Sequence, residues 1–172
     1  MPLPTAPNSA SPVAPVALAA MLAIASIAVA LVTQHVYGME PCPWCIVQRV
    51  LMIVVAVAAA VAAVLRVRRG AARPAVAVAL VAALAGLAAA AWQQGFAAQS
   101  LSCARTFADR VLQGSGLPLA WPAMFEATAS CAEANQPLLG LPYAVWSGAA
   151  FLMIALLCGL GWRRAYGQRT AR

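Results

Sequence analysis

Four long stretches of the chain are almost free of polar side chains, and shorter polar segments separate them. They run from about Ala14 to Thr33, Ile46 to Leu65, Ala75 to Trp92 and Tyr143 to Gly161. A bilayer core about 30 Å thick takes about 20 apolar residues of helix to cross, so each stretch has the length of a transmembrane helix. Their alanines and glycines let helices approach closely, and Leu, Val, Ile, Met and Phe are left to face lipid. The pattern predicts an all-α membrane protein, a four-transmembrane-helix bundle forming a single domain over residues 14–161. Two segments emerge at one end, about 34–43 and a long loop of about 93–142 between helices 3 and 4. Within that loop, Leu119 to Phe125 gathers Trp121, Met124 and Phe125. This cluster fits a short helix in the headgroup region equally with a patch packed on the bundle.

Composition strengthens this picture. The chain is 64% hydrophobic and 9% charged, against about 25% charged in soluble domains. All eleven basic residues are arginine. Eight form two clusters, Arg66, Arg68, Arg69 and Arg73, then Arg163, Arg164, Arg169 and Arg172. Each cluster flanks apolar runs instead of forming a continuous basic face, which argues against nucleic acid and marks the cytoplasmic side. Four spans then place both termini in the cytoplasm: a disordered tail, 1–13, and a basic tail, 162–172. The first run is long for a signal-peptide core and no positive charge precedes it, so an uncleaved span is expected. The opposite side receives Glu40, Asp109, Glu126 and Glu133 together with four of the five cysteines.

Those cysteines are the candidate chemistry. Cys42 and Cys45 form a Cys-x-x-Cys at the mouth of the second span; Cys103 and Cys131 lie in the long loop. A four-thiolate zinc site usually repeats its tight spacing, whereas Cys103 and Cys131 are 28 residues apart, so no metal is expected. Structural disulfides are the non-enzymatic alternative: a four-span scaffold with stapled outer loops. A Cys103–Cys131 staple would add a few kcal/mol, but a Cys42–Cys45 bridge constrains little chain. Close pairs of that kind are better suited to redox exchange. Pro43 suits the first helical position, which sets Cys42 near the N-cap and Cys45 in the first turn. Free N–H groups and the helix dipole favour a thiolate there. Arg49, four residues on, shares the helix face of Cys45. It has a bland reading, snorkelling to the interface, and a functional one, donating to an acceptor held beside that sulfur. Cys158, inside the fourth span, reads as a small apolar residue.

Several of these residues together resemble the bacterial disulfide bond formation protein B family, DsbB. The resemblance rests on QHV at 34–36, PCPWCIVQR at 41–49, Cys103, SCAE at 130–133 and GLP at 140–142, and it spans about residues 14–161. It implies an inner-membrane thiol:quinone oxidoreductase that reoxidises DsbA, a periplasmic dithiol oxidase, and passes electrons to membrane quinone, ubiquinone or menaquinone. On that resemblance the cysteine-bearing segments are periplasmic. Cys103 takes the mixed disulfide with DsbA and Cys131 is its partner. Cys42 and Cys45 form the membrane-proximal pair, Cys45 contacts the quinone ring, and Arg49 reaches a quinone oxygen. Reference potentials near about −120 mV for DsbA and about −270 mV for thioredoxin-like couples differ by about 7 kcal/mol for two electrons. An ordinary disulfide therefore cannot reoxidise DsbA unaided. The sequence departs from some family members at Gln48, where they carry Glu. It departs again at the outer end of the third span, where Trp92, Gln93 and Gln94 stand and no histidine does. His35, the single histidine, belongs to the first outer segment.

Overall fold

The computed structural model describes residues 13–65, 72–99 and 107–167. Cys103, Arg66, Arg68, Arg69, the N-terminal tail and the last arginines, Arg169 and Arg172, lie outside the described residues. In chain order the elements are α1 (Val13–His35), α2 (Pro43–Val64) and α3 (Ala72–Gly95), then a 3₁₀ turn (Ala97–Gln99). Four short helices follow: α4 (Phe107–Ser115), α5 (Leu117–Ala120), α6 (Pro122–Phe125) and α7 (Cys131–Ala134). A two-stranded hairpin, β1 (Pro137–Leu138) and β2 (Leu141–Pro142), leads into α8 (Tyr143–Gly167).

The four long helices are α1, α2, α3 and α8, and each is long and apolar enough to cross a membrane. They form the expected bundle, with α1 against α2 and α8, and α3 against the same two. The helices overrun the apolar stretches: α1 reaches His35, α3 begins at Ala72 and α8 continues to Gly167. Polar side chains end a hydropathy pattern without ending the backbone ladder, and arginines are good helix formers.

The bundle core is built from small residues. Ala19, Ala23, Ala59, Ala79 and Ala83 are fully buried beside Val55, Phe151, Ile154 and Cys158. Small side chains allow the backbones to close in, the main source of helix association in lipid. The tightest seat is Gly86 of α3, where an added Cβ would stand 2.1 Å from the Phe151 ring of α8. Cys158 sits in this apolar core, as its sequence context implies.

The long loop covers the outer end of α2. Phe125 of α6 and Leu112 of α4 bury themselves on Ile46, with Met124, Val47 and Val50 around them. The Leu119–Phe125 stretch is thus anchored on the bundle through its last two residues, while Trp121 remains 59% exposed. The hairpin turns through Leu139 (φ 52) and Gly140 (φ 83). Positive φ at both central residues is the geometry of a tight hairpin turn, and Gly140 meets it without strain.

Candidate active site

The site begins with the start of α2. Pro43 occupies its first turn and Cys42 is its N-cap, with extended backbone. The Cys42 sulfur accepts from the Cys45 backbone N–H at 3.3 Å, taking the place of the usual capping oxygen. Cys42 is fully buried. The two sulfurs are 3.0 Å apart, a hydrogen-bonded thiol contact and not the ~2.05 Å of a disulfide. The helix register expected from Pro43 is therefore the one the chain adopts.

Cys131 arrives from the far end of the loop. Ser130 and Glu133 close a capping box around it: the Ser130 hydroxyl accepts from the Glu133 N–H, and the Glu133 carboxylate accepts from the Ser130 N–H. The Thr128 and Ala129 N–H groups both donate to the Pro41 carbonyl, 3.0 and 3.3 Å away. At the other end of α7, Asn135 donates to Gln94 of α3 at 2.9 Å and accepts from the Ala144 N–H of α8 at 3.1 Å. Pinned in this way, Cys131 lies in one apolar cluster with Cys42, beside Trp44 and Cys45. The Cys131 and Cys42 thiols pack together in that cluster. The Cys42 pKa is pushed far up by its interaction with Cys131, then by Cys45 and burial. Cys131 is held below the ordinary thiol range by its interaction with Cys42.

A cavity of about 230 Å³ opens on the other side of Cys45, between α1, α2 and α8. Its polar end is formed by Cys45, Gln48, Arg49, Tyr143 and Ser147, and its apolar walls include Leu22, Met52 and Phe151. Drug-sized ligands occupy pockets of about 300–1,000 Å³, so this space suits a single substituted ring. Arg49 is 6% exposed and lines the cavity. Its Nη1 donates to the Met124 carbonyl at 2.6 Å, and its Nε is buried with no partner. Its guanidinium ends against the loop that covers the outer end of α2 and is shielded from open water. A guanidinium that lines the cavity beside a sulfur fits a ring that carries carbonyl acceptors. Trp44 packs on the cysteine cluster and does not line the cavity.

The remaining surface of the sulfurs is covered by a residue the sequence did not mark as functional. Gln93 of α3 is 1% exposed. Its Nε2 lies 3.3 Å from Cys45 Sγ and 3.5 Å from Cys42 Sγ. Its Oε1 accepts from Gln48 Nε2 at 2.6 Å, and Gln48 Oε1 accepts from the Ser147 hydroxyl at 2.5 Å. The signal was present in the sequence: two glutamines where an apolar span ends, and an amide at Gln48 inside another.

The structure thus brings Cys42, Cys45, Cys131 and Arg49 together, while Cys103 lies outside the described residues. A family model described as "Disulfide bond formation protein DsbB" matches residues 13–161. Disulfide bond formation protein B of Albidiferax ferrireducens is 32% identical over 134 residues, 76% of either chain. The protein of the same name from a Polaromonas species is 33% identical over 129 residues, 74% of this chain and 76% of that one. Disulfide bond formation protein B 1 of Pseudomonas putida is 31% identical over 132 residues, 77% of this chain and 79% of that one.

Proposed function

Because the chain belongs to the DsbB family of four-helix membrane proteins of disulfide bond formation, we propose that it reoxidises a DsbA-like periplasmic dithiol oxidase and delivers the electrons to membrane quinone. It does so in the bacterial inner membrane with its cysteine-bearing end in the periplasm. The observation that carries this reading is the meeting of Cys131 from the loop with the Cys42–Cys45 pair at the edge of a membrane-embedded cavity.

The sulfur chemistry runs in exchanges that conserve bonds. A DsbA thiolate attacks Cys103 of a Cys103–Cys131 disulfide, and the second DsbA thiol then closes the DsbA disulfide, leaving Cys103 and Cys131 as thiols. Cys131, held against Cys42 by the ends of α7, attacks Cys42 of a Cys42–Cys45 disulfide. The Cys42–Cys131 bond forms and Cys45 leaves as a thiolate. The Cys103 thiolate next attacks Cys131, restoring the loop disulfide and releasing Cys42. The direction of the middle step follows from the site. Cys45 has the helix dipole and Arg49 to accept its charge, whereas Cys42 is buried and holds its proton.

When bound, quinone, as ubiquinone or menaquinone, supplies a two-electron acceptor that lets the Cys42–Cys45 bond re-form. Arg49, which lines the cavity, would donate a guanidinium N–H to a carbonyl oxygen there, and Leu22, Met52 and Phe151 would form the apolar wall beside Cys45.

The decisive experiment reconstitutes the protein with a quinone and reduced DsbA and follows quinone reduction. Cys45→Ser should abolish turnover; undiminished turnover would sink the assignment. Alkylation of thiols in quinone-depleted membranes separates the scaffold reading. Electron back-up should leave the four outer cysteines reduced, whereas structural staples would stay oxidised.

A further inference from the structure

Gln93 is the most deeply buried of the buried polar side chains, and it spends its amide on sulfur. The chain of hydrogen bonds behind it has a direction. Gln48 Oε1 can only accept, so the Ser147 hydroxyl 2.5 Å away donates to it. Gln48 Nε2 is then left to donate to Gln93 Oε1. Both hydrogens of Gln93 Nε2 remain, and the acceptors within reach are Cys45 Sγ and Cys42 Sγ. The reverse polarity, with Ser147 donating instead to the Ala144 carbonyl at 3.1 Å, would aim Gln93 Oε1 at the sulfurs. That arrangement suits two protonated thiols. A thiolate has no proton to give and selects the donor arrangement.

We propose that Gln93 is a catalytic residue of the Cys42–Cys45 pair: its side-chain amide donates to the Cys45 sulfur as negative charge collects there, and Gln48 and Ser147 are positioning residues that aim it. The proposal rests on the reading in which Cys45 departs as a thiolate. Gln93 does not line the cavity, so it supports the sulfur from α3 while Arg49 stands on the cavity side. The ionisable groups facing Cys45 are Cys42 and Arg49 of α2, Cys131 of α7 and Tyr143 of α8. From α3 the contact is the neutral amide. A neutral donor stabilises the thiolate without adding a fixed charge to the apolar bundle.

The test uses the full-length protein in detergent with Cys42, Cys103, Cys131 and Cys158 replaced by serine, so that Cys45 is the single thiol. The rate of iodoacetamide alkylation is measured against pH with Gln93 intact and in Gln93→Met, Gln93→Glu, Gln48→Met and Ser147→Ala. Gln93→Met keeps the volume and removes the donor, and should raise the midpoint by about one pH unit, as expected for loss of a hydrogen bond to a charged group. Gln93→Glu should raise it further, since a carboxylate repels the thiolate. Gln48→Met and Ser147→Ala touch no sulfur and should give smaller upward shifts. An unmoved midpoint in a folded Gln93→Met protein overturns the proposal. Should Gln93→Met fail to fold, unmoved midpoints in both Gln48→Met and Ser147→Ala overturn it equally. No quinone and no protein dithiol enters this measurement. Raised midpoints here, together with a parent protein carrying all its cysteines that fails to reduce quinone in the reconstituted assay, would uphold the role of Gln93 and refute the proposed function instead.

Discussion

Gly86 offers the sharpest perturbation of the bundle, because it is separated from the cysteines by sequence yet coupled to the cavity wall. An ideal Cβ at Gly86 would lie 2.1, 2.3 and 2.5 Å from three carbons of the Phe151 ring. Carbon atoms rest at about 3.5 Å or more, so in Gly86→Ala the ring must retreat by about 1.4 Å. Phe151 has no exposed surface to retreat across, and the space it can enter is the cavity it lines. Overpacking of this sort costs about 1–3 kcal/mol. The better helix propensity of alanine returns about 1 kcal/mol. With three ring atoms in violation, the clash should win, leaving a net loss of about 1–2 kcal/mol. That is about 2–8 °C in the unfolding midpoint for a chain of this length, read by thermal denaturation in detergent. The smaller cavity should also raise the KM for quinone several-fold and leave Cys131 alkylation unchanged. Gly86→Ala with Phe151→Leu should recover both losses, since two residues in contact are not additive. A Gly86→Ala protein as stable as its parent, with an unchanged KM, would refute the packing argument.

Other outcomes follow from the site. Arg49→Met removes a charged donor worth about 1.5–3 kcal/mol and should raise the KM for quinone at least about tenfold. Arg49→Lys, which lacks the fork, should fall between, and an unchanged KM in both variants would count against the contact. Ser130→Ala breaks the capping box and should cost about 1 kcal/mol of local stability. Its signature is slower formation of the Cys42–Cys131 bond in a trapping assay, with Ser130→Asp close to the parent. The Cys131 pKa lies below the ordinary thiol range through its interaction with the Cys42 thiol. Its thiolate therefore persists as pH falls below that range and disappears only lower down. Cys42→Ala should move the alkylation midpoint of Cys131 upward; a midpoint already in the ordinary range before substitution would refute that interaction.

Much of this architecture is legible in the chain because lipid leaves the backbone few choices. Four apolar runs specify four helices, and Pro43 fixes where α2 begins, which in turn fixes the faces of Cys45 and Arg49. The long loop is harder to read. Its helices are short, and what holds them is remote: Pro41 to Ala129, Gln94 to Asn135, Arg49 to Met124. No local pattern announces such pairings. The capping box at Ser130 and Glu133 is a local pattern and explains the SCAE motif physically, although composition draws the eye to its cysteine. Gln93 hides for a different reason. At the end of a hydropathy run a glutamine looks like the return of water, and only tertiary placement reveals that this one faces sulfur.

The zero exposure of Cys42 makes it an insulated junction. A small thiol dissolved in the medium has no surface at which to line up against that sulfur. The neighbour already inside the insulation is Cys131, held there by Pro41, Ser130 and Asn135. On the proposed function, current would then enter through a protein contact on the loop, and an oxidising couple could sit beside a pool of soluble reductants without discharging into it.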